Sequence, residues 1–264
     1  MELNVAEMGF SEVNAQMRQT ADSEITLTGC IGQRFLAAGT SGKYVKINGI
    51  AGNALGAYLN GTVIETFGNA QDAVGDTMNE GEIIVHGNIG DAAGYAMRGG
   101  KIFVKGNAGY RAGIHMKAYQ EKIPVMVIGG RTGSFLGEYQ AGGIIIVLGL
   151  HCDGRPIVSN FPCTGMHGGK LFLRSDCEGI HFPHQVHHRI ASADELEEIR
   201  GFVAEYCEHF GGSPDEILNA EFTVVTPDSG NPYKQMYVAN SRLHASPLLC
   251  AAVYDFLQNM RGRL

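Results

Sequence analysis

A 19-residue repeat runs through the middle of this chain. Glycines recur at that spacing in two columns, namely Gly49, Gly68, Gly87 and Gly106, and Gly56, Gly75, Gly94 and Gly113. Three mostly apolar columns share the period: Val45, Ile64, Ile83 and Ile102; Ile47, Thr66, Val85 and Val104; and Leu59, Met78, Met97 and Met116. Self-similarity at a short fixed period is typical of a solenoid, whose units pack on their neighbours.

The content of one unit indicates which solenoid to expect. Each unit has one strand-like run, such as residues 82–86 or 101–105, with glycine on both sides. Side chains alternate along a strand, so Ile83 and Val85 are predicted to point inward. Two packed helices do not fit into 19 residues. We therefore predict a mainly β chain, a single-stranded parallel β-helix of about seven turns and on the order of 30 Å tall, right-handed like most parallel crossovers.

Glycine and asparagine are expected to form the corners, because a positive φ is nearly free for glycine and least unfavourable next for asparagine. Asn69, Asn88 and Asn107 each follow a strand-ending glycine and should stack from unit to unit. Asp72, Asp76 and Asp91 recur near turns, where a carboxylate usually accepts hydrogen bonds from backbone N–H groups. The repeated glycines are thus assigned a structural role and not a dinucleotide-binding one.

The repeat is interrupted twice and flanked by other segments. After Met116 the phase slips by four residues, and Val125 and Val127 are predicted to resume the inward positions; about seven more residues are inserted between Leu150 and Gly165. Ile145, Val147, Leu171 and Leu173 are predicted to be inward in the later units. The predicted organisation is a cap or arm at residues 1–24, the β-helix at 25–180 and a small α+β extension at 181–264.

The extension has helix and strand signals. Residues 192–210 are predicted to form a helix capped by Ser192 or Asp194 and ended by Gly211, and a short helix should follow through Leu218. The stretches EFTVV (221–225) and YKQMYVAN (233–240) are predicted to be strands joined by a turn.

Charge and hydropathy exclude several classes of protein. The formal net charge of −7 disfavours a nucleic-acid-binding surface, and the longest apolar stretch, residues 142–150, is too short to span a bilayer. The N-terminus lacks a basic start followed by an apolar core, so we expect no signal peptide and a cytoplasmic protein.

Candidate ligands and nucleophiles are sparse. Six cysteines, at positions 30, 152, 163, 177, 207 and 250, form no CxxC pair and are predicted to be small buried residues. Two groupings suggest metal binding only weakly: His151, Cys152, Cys163, His167 and Cys177; and His181, His184, His187 and His188. No nucleophile or phosphate-loop motif is present. We predict no catalytic, cofactor-binding or metal-binding residue in this chain.

An interaction surface is the remaining prediction from the residues themselves. Ile84 and Phe103 occupy equivalent outward places on adjacent units. We predict that they form an exposed apolar stripe on which another protein docks.

Residues 68–130, together with GEYQAGGIIIVLGL (137–150) and GMHGGKLFLRS (165–175), resemble the GXGXG domain of glutamate synthase. The likeness is greatest to the free-standing chain of the split, archaeal-type enzyme, and the segment that begins RIASADELEEIR at residue 189 is also similar.

The resemblance implies a scaffold subunit of an oxidoreductase with no active site of its own. In that family an amidotransferase part hydrolyses glutamine, and an FMN and iron–sulfur synthase part forms glutamate from ammonia and 2-oxoglutarate. FMN and the cluster are thus expected on partner chains, and none is expected on this one. The alternatives are a scaffold like the β-helical component of formylmethanofuran dehydrogenase and a free-standing β-helix binding module. A hexapeptide acyltransferase fits less well, because its coil repeats about every six residues.

Overall fold

The strands of the repeat follow one another in a single sheet. The computed structural model describes residues 1–228 of the 264-residue chain. The elements in chain order are β1 (Glu2–Asn4), α1 (Phe10–Gln19), β2 (Glu24–Ile31), β3 (Tyr44–Ile50), β4 (Asn60–Thr66), β5 (Glu80–Val85), β6 (Lys101–Val104), β7 (Val125–Ile128), β8 (Ala141–Val147), β9 (Gly168–Leu173), β10 (Val186–Ile190), α2 (Ala193–Phe210), α3 (Pro214–Leu218) and β11 (Thr223–Pro227). The described part is therefore mainly β, with an 11-stranded mixed sheet.

The repeat units lie in register. From β1 to β9 each strand pairs in parallel with the next, so that Ile64 lies beside Ile83 and Ile83 beside Ile102. A second row of parallel bridges links Ala51, Ala70, Ile89, Ala108, Thr132 and Val158. Each unit thus hydrogen-bonds to the next along more than one line, as the 19-residue period predicts.

The interior of the repeat is an apolar column. Every member of the three mostly apolar columns of the repeat is fully buried, including Thr66. Gly68 shows why the first glycine column is required: a Cβ there would lie 2.2 Å from the carbonyl oxygen of Gly49 in the preceding unit. This glycine is needed for close approach and not for a positive φ.

The predicted register of β7 is wrong. Met126 and Ile128, not Val125 and Val127, lie in the interior, because Met126 pairs with Ile102 and the insertion is therefore one residue longer than predicted. Eight strands of the repeat, β2 to β9, pair in parallel, beside a predicted number of about seven turns.

The first unit is covered by the N-terminal segment. Val13 and Met17 of α1 are buried in the interior core, and the Asn14 side-chain amide donates a hydrogen bond to the Phe35 carbonyl (2.7 Å). The strand β1 pairs with β2 at the same end. The apolar side of α1 therefore shields the otherwise open end of the column.

The helices that follow the repeat begin and end where their capping residues predict. Ser192 and Glu195 form a capping box at the start of α2, Gly211 follows its last residue, and Ser213 caps α3. EFTVV contributes to β11, as predicted, and β11 pairs antiparallel with both β9 and β10. The predicted strand YKQMYVAN lies outside the described residues.

Candidate functional site: the two outer faces of the repeat

The repeat has two outer faces that bear apolar side chains. We call the outward side of β3–β9 the strand face, and the outward side of the tight turns at residues 34–39, 53–58, 72–77, 91–96, 110–115, 134–139 and 160–165 the turn face. Because each face repeats from unit to unit, its side chains form columns along the stack.

The strand face is not the exposed docking surface that its apolar residues predict. Phe103 is fully buried and Ile84 is only 3% exposed. Phe103 belongs to a second core, in which outward residues of β6–β9 pack against Ile199, Val203 and Tyr206 of α2. The prediction of an open stripe at Ile84 and Phe103 is therefore wrong, because the chain covers this face with its own helix.

Polar contacts hold α2 on the strand face. Glu205 pairs with Lys101, and the His209 imidazole lies 2.9 Å from the carboxylate of Glu82. Burial of the Tyr206 ring raises its pKa to about 12, so this phenol stays neutral against the sheet. The helix is thus fixed by apolar packing at its centre and by charged pairs at its margin.

A hydrogen-bonded network lies on the strand face beyond the end of α2. The Tyr44 hydroxyl donates to one oxygen of Glu65, and the His86 Nε2 lies 2.8 Å from the other. Burial and the Glu65 hydrogen bond raise the pKa of Tyr44 to about 12. Burial opposes ionisation of Glu65, but the bonds from Tyr44 and His86 prevail and lower its pKa. This network joins three adjacent units of the repeat.

The turn face has an unusual backbone. The second, fourth and sixth residues of each turn have positive φ angles, as in Ala54, Gly56 and Tyr58. Their N–H groups alternate in direction: Gly56 donates to Leu36 of the preceding unit, whereas Ala54 and Tyr58 donate to the following one. These hydrogen bonds join neighbouring units and hold a conformation that costs a non-glycine residue about 1–2 kcal/mol.

The side chains at the three positive-φ positions differ in direction. A Cβ on Gly75, at the central position, would lie 2.6 Å from the Ile102 side chain, which shows that this position faces the interior. The outer two positions hold side chains in most turns, from the small and buried Ala54 to Tyr58, whose ring is 60% exposed. Glycine is thus needed at the centre of turns packed like this one, whereas Ala37 and Cys163 take the central position in the first and last turns.

Five rings of the later units form what we call the aromatic patch, consisting of Tyr95, His115, Phe135, Tyr139 and Phe161. His115, Phe135, Tyr139 and Phe161 stand at positive φ. Tyr139 is 44% and Phe161 is 62% exposed. The equivalent flanking positions of the three preceding units hold small residues, namely Ala54, Ala73, Thr77, Ala92 and Ala96, apart from Tyr58. In the first unit Phe35 stands at such a position, where its ring packs on Phe10 of α1.

The rings of the aromatic patch order one another. His115 and Tyr139 stack with centroids 5.2 Å apart and planes 8° from parallel, and Tyr95 meets His115 edge-on at 5.9 Å. Phe135 and Phe161 stack at 5.3 Å. Aromatic pairs of this kind contribute about 0.5–1.5 kcal/mol beyond the area that they bury.

Arg111 and Gly165 complete the surroundings of the patch. The Arg111 guanidinium lies 5.0 Å from the Phe135 ring centroid and donates to the Glu138 carboxylate (2.9 Å). On the other side, a Cβ on Gly165 would lie 2.4 Å from ring carbons of Tyr139. Both faces of the Tyr139 ring are therefore in contact with protein.

The asparagine and aspartate columns behave largely as predicted. The Asn69 and Asn88 side chains each accept the backbone N–H of the next asparagine at 2.8 Å, and Asp72 and Asp91 accept N–H groups of the following unit at 2.9 and 2.8 Å. Asp76 accepts the Thr77 hydroxyl instead. These side chains stabilise the stack, and their oxygens already accept hydrogen bonds from the protein.

The weakly suggested metal groupings are dispersed. Cys163 and Cys177 lie in the interior core, where burial raises the pKa of both thiols. His151 is exposed, and the His167 ring contacts the Gly165 carbonyl (3.0 Å). Across residues 1–228, no three His, Cys, Asp or Glu side chains converge as a metal site would require.

Other histidines and cysteines also have separate surroundings. His187 pairs with Asp228 (2.7 Å), and His188 packs on Phe182 at the exposed edge strand β10. Cys30 is buried and its pKa is raised to about 11 by burial. Cys250 lies outside the described residues.

Sequence reasoning did not find the aromatic patch, although a signal was present. His115 follows Ala96 by 19 residues, and Tyr139 follows His115 at the same place in the next unit once the insertion is counted. The patch could have been found from these positions, because they hold large rings here and Ala or Thr in the units just before. The predicted contact surface was based instead on the outward residues of the strands.

No helix within residues 1–228 has the length and apolar character needed to cross a membrane. This observation concerns only the described helices.

The fold is that of a repeat protein, in which units stack on one another and contact surfaces are built from side chains of successive units. The chain belongs to the family described as GXGXG motif, whose model matches residues 11–228.

Two comparisons extend this assignment. An uncharacterized protein of Methanocaldococcus jannaschii is 38% identical over 248 residues, which are 89% of this chain and 95% of that protein. A chain in the crystal structure of the formyltransferase/hydrolase complex from Methylorubrum extorquens, solved with methylofuran, superposes with a TM-score of 0.57 and 18% identity, over 76% of this chain and 72% of that chain. At this identity the second likeness concerns the fold alone.

Proposed function

We propose that this chain is a non-catalytic scaffold subunit of a glutamate synthase complex. In this role it holds an amidotransferase chain and an FMN and iron–sulfur synthase chain together in the cytoplasm, while glutamine and 2-oxoglutarate are converted to glutamate on those partners. We also propose that the repeat forms a right-handed parallel β-helix.

The family match over residues 11–228 is the observation that carries the proposal, because it spans the repeat and the helix that covers its strand face. The segments that resemble the glutamate synthase domain fall inside this range. The hydrogen bonds between units also support it, since a body braced in this way suits a part that must hold others at fixed distances. The side chains of residues 1–228 do not offer a cysteine set for an iron–sulfur cluster.

A second candidate is a scaffold like the β-helical component of formylmethanofuran dehydrogenase. The fold likeness to a chain of the formyltransferase/hydrolase complex favours it. Both candidates place the chain in a multi-subunit assembly, and they differ in which enzymes are held.

Reconstitution from separately purified chains tests the proposal. The amidotransferase and synthase chains of the same organism would be mixed with and without this chain, and the assembly analysed by size-exclusion chromatography with light scattering. Glutamate formation from glutamine and 2-oxoglutarate, with reduced methyl viologen as electron donor, would then be measured.

We expect one stable complex of all three chains and glutamine-dependent activity that requires this chain. Ammonia-dependent activity of the synthase chain alone serves as the control. Assembly and full glutamine-dependent activity without this chain would contradict the proposal. Co-purification of molybdopterin-binding and polyferredoxin chains with the tagged protein from its native cells would favour the second candidate.

A further inference from the structure

We infer that the aromatic patch on the turn face is the surface on which a partner protein docks, and that the partner's contact surface is apolar at its centre and carries carboxylates at its rim. This inference rests on the proposed scaffold function and names the site of one contact.

The repeat itself does not require the aromatic patch. Ala73, Thr77, Ala92 and Ala96 occupy the equivalent flanking positions, and the same backbone hydrogen bonds form there. A large side chain at a positive φ is unfavourable in the free chain. Four such residues in adjacent units therefore indicate a role outside the fold.

The patch is ordered before a partner arrives. Stacking on His115 and on the Gly165 backbone fixes the Tyr139 ring, and Phe135 and Arg111 are fixed in the same way. Rigid aromatic side chains lose little conformational entropy on binding, which is one reason that they dominate protein interfaces.

Charges beside the patch indicate the sign of the partner. Lys117 is two residues from His115, and Arg98 takes the equivalent place in the preceding unit. Both are exposed, and neither forms an ion pair with a residue in the range 1–228. The formal net charge of the chain is −7, so a cationic margin here is a local feature. Carboxylates on the partner would complement it.

Two other occupants fit less well. Bases of a nucleic acid need free ring faces on which to stack, whereas both faces of Tyr139 already contact His115 and Gly165. A second copy of the chain would meet the patch through its own identical patch, bringing like charges at Arg98 and Lys117 together. A protein surface that packs against ring edges meets neither difficulty.

The test compares Tyr139→Gly with the matched control Tyr58→Gly. Tyr58 stands at the same flanking position four units earlier, with a φ of 57° and 60% exposure, but outside the patch. Binding of each variant to the purified amidotransferase chain and to the purified synthase chain would be measured separately by biolayer interferometry, after circular dichroism melting has established that the variants are folded.

We expect Tyr139→Gly to weaken binding to one of the two chains on the order of tenfold or more, and Tyr58→Gly to change it by less than about twofold. The double variant Arg98→Glu/Lys117→Glu should slow association at low salt, and the wild-type association rate should fall as salt is added. His115→Ala offers a second patch variant if Tyr139→Gly does not fold.

The outcomes separate the two proposals. If the wild type binds a partner and the patch variants bind it as well as Tyr58→Gly does, the patch is not the docking surface, while the scaffold function stands. If the wild type binds neither chain, both proposals are overturned. Faster association after charge reversal would contradict an acidic partner, and loss of a wild-type dimer in Tyr139→Gly on ultracentrifugation would assign the patch to a second copy.

Discussion

The strand face and the turn face both direct apolar side chains away from the interior, but within residues 1–228 only the strand face is covered by a helix of the chain itself. Phe103 on the first is fully buried under α2, whereas Phe161 on the second is 62% exposed. Periodicity identifies both as outward and does not distinguish them. The comparison teaches that an outward apolar column is a contact surface whose partner can be a later part of the same chain.

The largest expected difference between the faces is in the free energy of unfolding that is lost when a glutamate replaces a phenylalanine. Phe103→Glu should destabilise the protein by about 4 kcal/mol or more, because the carboxylate would be stranded between β6 and α2. Phe161→Glu on the turn face should cost about 1 kcal/mol or less, mainly through its stacking on Phe135. Urea denaturation of both variants measures the comparison, and equal losses would contradict it.

A smaller effect is expected within the turns. Gly75→Ala should cost about 2 kcal/mol, because the residue has a φ of +68° and its new methyl group would push on Ile102. The control is Ala73→Gly in the same turn, which should change stability by about 1 kcal/mol or less because that position faces outward. A harmless Gly75→Ala variant would show that the centre of the turn can accept a side chain.

The capping box of α2 should make the cover of the strand face acid-sensitive. The Arg189 guanidinium beside Glu195 holds the pKa of that carboxyl at about 2, below its ordinary value of 4.5. A carboxyl with a depressed pKa in the folded state stabilises the protein above about pH 4.5, and this contribution is lost as the pH falls towards 2.

Glu195→Gln should therefore cost about 1 kcal/mol at neutral pH, and its stability should approach that of the wild type near pH 2. Urea denaturation across this pH range checks the convergence. Glu197→Gln, which removes an exposed ion pair on the same helix, is the matched control and should have little effect. If the difference in free energy of unfolding between Glu195→Gln and the wild type did not change with pH, the low pKa of Glu195 would be refuted.

The smallest expected effect is on the open face. Tyr139→Gly should change the free energy of unfolding by only about 0.5–1 kcal/mol, because relief of the positive φ offsets the lost stacking and the entropy of glycine. Thermal melting of this variant beside Tyr58→Gly measures it. A loss of several kcal/mol would mean that the aromatic patch is part of the folding core.

The 19-residue period was sufficient to predict the strand order, the parallel register and the interior columns, because each follows from a repeated apolar residue. The register of β7 was not predictable in the same way. Its residues 125–128 are all apolar, so alternation does not mark the inward side, and only pairing of Met126 with Ile102 resolves it. The strand β10 was missed because its residues 187–189 are His, His and Arg.

The outer faces were harder to predict for a different reason. Amphipathic spacing showed that α2 would form, but not which surface it would cover. The turn geometry was hidden because glycine marks only the central positive-φ position in most turns, while residues such as Arg111 and Tyr139 occupy the flanks. Tertiary hydrogen bonds between units, which have no local sequence signature, hold those flanking residues in place.

The insertions between Met116 and Met126 and between Leu150 and Gly165 leave the neighbouring strands paired in parallel. The length of the body is thus independent of the number of residues in a unit and depends only on how many units there are. Adding or deleting a whole unit would change the separation of the two ends in discrete steps of about 4.8 Å. In a variant with one unit more or less, partners bound at the two ends would therefore be one strand spacing farther apart or closer together. The surfaces of the other units would stay the same.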